Sequence, residues 1–276
     1  MLKAKSKSIL VLSSIIAILT AIAAGGGLLF PNVYQDGAIS NGFNKAGWQG
    51  NDIVTLIIEV PIFIGALIFA QRGSLRAWLV WLGMLYFTLY NYAFYLFGAA
   101  INWFFLLYLA LFTLPMLVLI FALVNTDTSN LGQKFRLTVS ARRWVSGYML
   151  FFASFMLLVW IAQWVSFVAT GSLDSGMGNF IRTVAGVDIA FLASSLVTGA
   201  VWLQKQRPWG YVLATILNVS NTIYMLVLTV GYLNQAMAGV EGATATIPLW
   251  IFLGIACLAA SLVLLGNVQS ESWQHQ

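Results

Sequence analysis

Residues 53–70 read IVTLIIEVPIFIGALIFA, an apolar run that contains a single charged residue, Glu59. An α-helix rises about 1.5 Å per residue, so a run of this length covers roughly 27 Å of the ~30 Å hydrocarbon core of a bilayer. Such a run is typical of a transmembrane helix. Comparable runs recur along the rest of the chain.

The composition agrees with a membrane protein. Of 276 residues, 61% are hydrophobic and 8% are charged, whereas soluble domains average roughly 45 to 50% and 25%. The fold class that we expect is all-α, a polytopic transmembrane helix bundle. Eight apolar runs predict eight spans, at 9–30, 53–70, 77–98, 103–124, 144–169, 184–203, 209–233 and 248–266.

The first run leaves two interpretations open. It follows a basic start, and the small residues Ala23, Ala24, Gly25, Gly26 and Gly27 near its end resemble a signal-peptide cleavage site. Signal peptides have apolar cores of roughly 7 to 15 residues, which is shorter than this run. We therefore expect an uncleaved first span, and cleavage would leave seven spans.

The rare residue types exclude several kinds of chemistry. Cys257 is the one cysteine and His275 the one histidine. Zinc sites, His-ligated haem and dithiol redox pairs each need more such ligands. A phosphate-binding loop and a nucleophile elbow are also missing from the sequence. The sequence thus predicts no metal and no cofactor, and it favours a role other than that of an enzyme.

The distribution of basic residues predicts the orientation. If the N-terminus is cytoplasmic, eleven of the thirteen lysines and arginines face the cytoplasm, and Lys45 and Arg182 lie outside. Cytoplasmic loops of membrane proteins carry this excess. Both termini should therefore be cytoplasmic. The net charge of +5 then indicates contact with anionic membrane lipids and not with nucleic acid.

Two halves of the chain share a pattern. Offsets of 129, 131 and 130 residues separate three pairs: Glu59 and Asp188, Trp78 and Trp209, and Asn91 and Asn221. The pattern predicts two parallel four-span repeats, 1–124 and 144–276 with its short cytoplasmic tail, joined by a cytoplasmic linker at 125–143. Chance matches of polar residues in a helix bundle are the alternative.

A resemblance accompanies this pattern. Residues 50–102, with the inner loop GSLRAWLVWLG, and residues 187–214, with QKQRPWGYVLA, carry it. The chain resembles there a group of uncharacterised bacterial multi-span membrane proteins. The resemblance implies a location in the bacterial inner membrane, and it implies no activity, ligand or catalytic residue.

Acidic residues inside spans are the leading functional candidates, because a charge there costs a few kcal/mol unless it faces protein or water. Glu59 and Asp188 lie at similar depth, about 10 Å from the outer face. If they approach each other they suit a proton or cation site. Alternatively, each reaches to the outer interface or pairs with Arg182. Further polar side chains predict the rest of a cavity: Asn91, Tyr95, Asn218, Asn221, Tyr224 and Gln163.

Two functions remain open at this point. The first is a small-solute or proton/cation-coupled transporter with an outward-facing cavity between the halves. Against it, no span shows the mid-membrane glycine and proline interruption of broken transporter helices. The second is a non-transporting sensor, assembly or lipid-binding module. A lipid-modifying enzyme ranks third, and the sequence leaves the oligomeric state open.

Overall fold

The computed structural model describes residues 7–34, 42–98, 101–172 and 180–269. Within these ranges the chain consists of helices joined by short turns, with one isolated antiparallel bridge between Phe135 and Val268. The helices are α1 (Lys7–Leu29), α2 (Gly42–Val54), α3 (Val60–Gln71), α4 (Leu75–Gly98), α5 (Phe105–Val124), α6 (Thr128–Gln133), α7 (Val139–Thr170), α8 (Phe180–Val187), α9 (Ser194–Gln204), α10 (Pro208–Met237) and α11 (Ile247–Gly266).

Eight stretches of the described residues are long and apolar enough to cross a membrane, judged by length and composition. They are Lys7–Leu29, Lys45–Gln71, Leu75–Gly98, Phe105–Val124, Val139–Thr170, Arg182–Gln204, Pro208–Met237 and Ala243–Gly266. Each overlaps one apolar run of the sequence. The expectation of eight long apolar helices in an all-α bundle is confirmed.

The largest difference in a boundary is at the start of the second span. The second span was expected to begin at residue 53, but the helical stretch already runs from Lys45. Asn51 and Asp52 therefore lie inside the helix and are buried. The apolar run begins only after these two residues. Their side chains nevertheless form hydrogen bonds with another helix, so the helix extends through them.

Helices α4 and α10 form the centre of the bundle. They pack against each other, and each also packs against the helix before it and the helix after it. They have the lowest mean hydropathy of the eight spans, 1.2 and 1.6, and the largest buried shares, 83% and 72%. Polar side chains thus point inward. The outer surface carries exposed apolar side chains such as Leu158 and Leu262, as expected next to lipid.

Two spans contain a wider, π-helical turn. These turns are Thr55–Glu59, between α2 and α3, and Asp188–Ala193, between α8 and α9. Both predicted acidic residues therefore lie in π-helical turns. Single π turns inside helices occur frequently at functional sites. Pro61, two residues after Glu59, lacks the backbone donor for the carbonyl of Ile57 and so indicates an irregularity at the first turn. No proline marks the second turn in the sequence.

Helices α2 and α10 come into backbone contact. A Cβ atom added to Gly50 would lie 2.7 Å from the amide nitrogen of Gly231. Only residues without side chains allow helices to approach this closely. The second span of the first half is therefore packed directly on the third span of the second half.

The predicted linker, residues 125–143, packs against α10. It contains α6, which begins after Asp127, where the side chain accepts a hydrogen bond from the Asn130 amide at 3.1 Å. Phe135 stacks on Tyr211 near the start of α10, with ring centroids 5.1 Å apart. These contacts hold the predicted linker beside the start of α10.

Candidate functional site

A cavity of about 410 Å³ lies between helices of both halves. One side is formed by α2 and Phe94 of α4, and the other by α7, α8, α10 and α11 with the short 3₁₀ turn Ala243–Thr246 before it. This volume is within the range of ordinary small-molecule sites. The cavity therefore has the size and position of a solute site between the predicted halves.

The cavity lies toward one end of the bundle. Its wall includes Gly47 near the start of α2, Phe94 near the end of α4 and Gln235 near the end of α10. Arg72 and Lys205 mark the opposite end, where α3 and α9 finish. The cavity is thus remote from the basic loops, at the end that the distribution of charge predicts to be extracytoplasmic.

Aromatic rings form much of the wall. Seven lining side chains are aromatic, among them Trp48, Trp160, Tyr224 and Trp250. The polar lining residues are the acid Asp188 and neutral groups that include Asn51, Gln163 and Gln235. No lysine or arginine contributes to the described wall.

Asp188 is buried and joins the two halves. Its side chain is 3% exposed. The Tyr90 hydroxyl on α4 donates a hydrogen bond to one carboxyl oxygen, and the indole nitrogen of Trp160 on α7 donates to the other at 3.0 Å. Asp188 therefore neither reaches the outer interface nor pairs with Arg182, which is exposed.

The π-helical turn positions Asp188 against α4. Tyr86 donates its hydroxyl to the carbonyl of Phe191 in this turn, at 3.1 Å. One helical turn later, the Tyr90 ring meets the Tyr224 ring edge to face, with centroids 4.9 Å apart. The two tyrosines of α4, Tyr86 and Tyr90, thus fix the position of the turn. Tyr90 also contacts Tyr224, which lines the cavity.

Glu59 lies elsewhere. It is 1% exposed and is not among the residues that line the cavity. Thr88 donates a hydrogen bond to its Oε1 atom at 2.8 Å, whereas Oε2 has no hydrogen-bond partner among the described residues. The structure therefore does not place Glu59 and Asp188 in the wall of one common cavity.

The remaining predicted side chains divide between the cavity and the helix interfaces. Tyr224 and Gln163 line the cavity with Asp188. Asn91 accepts a hydrogen bond from the Asn51 amide at 2.6 Å, and Tyr95 donates to Asp52 at 3.0 Å.

On α10, the Asn218 amide bonds to the carbonyl of Ala214 at 2.8 Å, while both amide atoms of Asn221 are buried without a partner among the described residues.

A third buried acid, Asp52, was not predicted from the sequence. Tyr34 and Tyr95 both donate hydroxyl hydrogen bonds to its carboxyl group. Burial first, and then the Asp52 carboxyl, raise the pKa of Tyr34 well above its ordinary value. Tyr34 therefore remains a neutral donor. Trp48 connects this group to the cavity, because it lines the cavity and its ring centroid is 4.2 Å from that of Tyr95.

A signal for this region was present in the sequence. Asn51, Thr55 and Glu59 follow each other at a spacing of four residues, which places them on one face of a helix. In the structure, Thr55 donates to Asn51 at 3.1 Å, and Asn51 and Glu59 bond to α4. The stripe therefore predicts a polar seam between the second and third spans.

Comparisons of the chain with known protein families, curated proteins and solved structures find no significant match. In the described ranges, no three His, Cys, Asp or Glu side chains group closely enough to suggest a metal site. The cavity and its wall are therefore the features of the molecule that bear on its function.

Proposed function

We propose that this chain is an integral protein of the bacterial inner membrane that transports a small solute through the cavity between its two four-span halves. One observation carries the proposal: the cavity wall is built from both halves and includes the buried acid Asp188. Intramembrane acids that face a cavity commonly mark substrate or ion pathways. Substrate sites of duplicated transporters lie at the interface between the repeats.

The order of helix contacts supports the duplication. In the first half α1 packs on α3, α3 on α4 and α4 on α5, and in the second half α7 packs on α9, α9 on α10 and α10 on α11. Parallel repeats of this kind are related by an axis along the membrane normal. A rotation that brings α4 onto α10 would exchange the two halves around the central helix pair.

Asp188 supports the coupling of solute transport to protons or cations. Its two hydrogen-bond donors, Tyr90 and Trp160, are neutral groups, and no basic side chain contributes to the described wall. Such a carboxyl group holds either a proton or a cation, because a bare charge at low dielectric is costly. Binding of a cation therefore releases the proton, and binding of a proton releases the cation. This competition is the basis of proton–cation exchange across a membrane.

A sensor or assembly module is the second candidate. It is favoured by the polar seam between α2 and α4, where Asn51 bonds to Asn91 and Asp52 bonds to Tyr95. Hydrogen bonds between spans lock helices together, each contributing about 0.6 to 2 kcal/mol. A protein locked at this seam binds a ligand without moving it across the membrane.

Flux measurements separate the two candidates. The purified chain is placed in liposomes that contain a pH-sensitive dye, and small amines, amino acids and sugars are added outside in turn. Transport predicts a solute-dependent change of internal pH that is lost in Asp188→Asn and retained in Glu59→Gln, whose side chain lies outside the cavity wall. Folded protein that gives no flux with any solute of the set would refute coupled transport and favour the sensor.

A further inference from the structure

We infer that the ligand of the cavity is an organic cation, an amine or quaternary ammonium group attached to an apolar body. This inference deepens the proposed function, because it assumes that the cavity is the solute site. It is carried by the aromatic wall, by the charge of the wall and by the apolar side chains of the lining.

Aromatic rings favour a cation. The negative face of a ring attracts an ammonium group within about 6 Å, and indole rings do so most strongly. Three tryptophans from different helices, Trp48, Trp160 and Trp250, line the cavity. Quaternary ammonium ligands are recognised by such aromatic surroundings.

The charge of the wall selects the same sign. Asp188 is the acid of the wall, and the described lining contains no lysine or arginine. Each carboxyl oxygen accepts one hydrogen bond, from Tyr90 or from Trp160, and a carboxylate has about four acceptor positions. A cation therefore finds a counter-ion with acceptor positions to spare, whereas an anion would meet Asp188 without compensation.

Gln235 adds an unused acceptor. Its side chain lines the cavity and is 5% exposed, and its Oε1 atom has no hydrogen-bond partner among the described residues. A buried carbonyl oxygen without a donor costs free energy. An ammonium N–H group, or water around a methylated one, supplies the missing donor.

The apolar part of the lining favours an apolar body on the ligand. Besides the aromatic rings, the wall contains the side chains of Met156 and Val159 on α7, Met225 and Leu228 on α10, and Leu249 on α11. Burial of apolar ligand surface against such side chains is favourable. An ammonium group attached to an apolar body therefore fits this wall better than a small inorganic cation.

Two probes of the same shape test the inference. (3-Hydroxyphenyl)trimethylammonium and 3-tert-butylphenol differ in charge but hardly in size. Binding to the full-length protein in a neutral detergent is measured by quenching of tryptophan fluorescence, with free ligand determined by equilibrium dialysis. We expect at least tenfold tighter binding of the cation. Equal affinity for the two probes, or preference for the phenol, would overturn the inference without any variant.

Variants then locate the site. Asp188→Asn should weaken binding of the cation at least tenfold and leave binding of the phenol within twofold. Glu59→Gln, which changes a buried acid outside the wall, should leave both within twofold. If Asp188→Asn does not fold, Asp188→Glu serves instead and should retain the preference for the cation. Loss of that preference in folded Asp188→Glu, or equal losses in Asp188→Asn and Glu59→Gln, would contradict the assignment.

Lipid composition identifies the source of the cation. The titration is repeated in nanodiscs of phosphatidylcholine and of a neutral glucosyl diacylglycerol, which lacks an amine. Weaker binding of the added cation in phosphatidylcholine would show that a lipid headgroup occupies the cavity. Equal binding assigns the cavity to a free amphiphilic cation.

The ligand class and the transport function can be refuted independently of each other. Cation-selective binding without flux in liposomes would support this ligand class and refute transport. Flux of a neutral or anionic solute without cation-selective binding would support transport and refute this ligand class.

Discussion

The indole nitrogen of Trp160 lies 3.0 Å from a carboxyl oxygen of Asp188 and joins α7 to the π-helical turn Asp188–Ala193. Trp160→Phe removes this donor and leaves the oxygen buried, which costs on the order of 1 to 3 kcal/mol. We expect a lower unfolding temperature in detergent. Trp164→Phe on the same helix is the control, because Trp164 is 64% exposed. Equal effects of the two substitutions would contradict the role of this hydrogen bond.

A double-mutant cycle tests the hydrogen bond between Tyr95 and the third buried acid, Asp52. Tyr95→Phe removes the hydroxyl that bonds to Asp52 at 3.0 Å. We expect it to destabilise the native protein more than it destabilises the Asp52→Asn variant, by about 0.5 to 3 kcal/mol, because residues that share a hydrogen bond have an interaction energy of this size in such cycles. The free energy of unfolding is measured for all four proteins. An additive result would mean that the two groups do not interact.

Two neighbouring glycines of α1 should respond in opposite directions. A Cβ atom at Gly27 would overlap the Asp52 carboxyl and the Tyr34 hydroxyl, whereas one at Gly25 would meet nothing within 4 Å. Gly27→Ala should therefore destabilise the protein. Gly25→Ala should stabilise it by roughly 0.5 to 1 kcal/mol, because alanine favours helix. Thermal unfolding measures both, and stabilisation by Gly27→Ala would refute the packing of α1 on Asp52.

Neutralising Glu59 should not harm the fold. Its Oε2 atom is buried without a hydrogen-bond partner among the described residues, and Thr88 supplies the bond to Oε1. Glu59→Gln lowers the cost of burial, so we expect an equal or higher unfolding temperature. Thr88→Val, which removes the donor, should lower it. A Glu59→Gln protein as unstable as Thr88→Val would indicate a cationic partner of Glu59.

The orientation is tested with reporter fusions. Fusions after Arg76, Arg143, Arg207 and the C-terminus should all report cytoplasm, because eleven of thirteen basic residues lie on that side of the predicted topology. A periplasmic signal after Arg143 would overturn both the linker assignment and the duplication.

The spans were predictable because apolar length alone determines what crosses a bilayer. The beginning of the second span was not, because Asn51 and Asp52 resemble an outer loop in the sequence. Only the fold supplies Asn91 and Tyr95, which satisfy their polar groups inside the bundle. The residues that line the cavity were predicted only in part, because the fold and not the local sequence determines which side chains meet there. Asp188 stands out as an acid in an apolar run, but Trp48 and Trp160 are indistinguishable in sequence from tryptophans at a membrane surface.

The contact between Gly50 and Gly231 has a mechanical consequence. Backbones that touch leave no room for further approach, so this crossing of α2 and α10 acts as a pivot. Helices α7 and α11, in contrast, are joined by the hydroxyl of the long Tyr148 side chain, which donates to the carbonyl of Leu253. Any relative movement of α2 and α10 would therefore be a rotation about the glycine contact, and it would change the shape of the cavity, because Gly47 and Gly231 also line it.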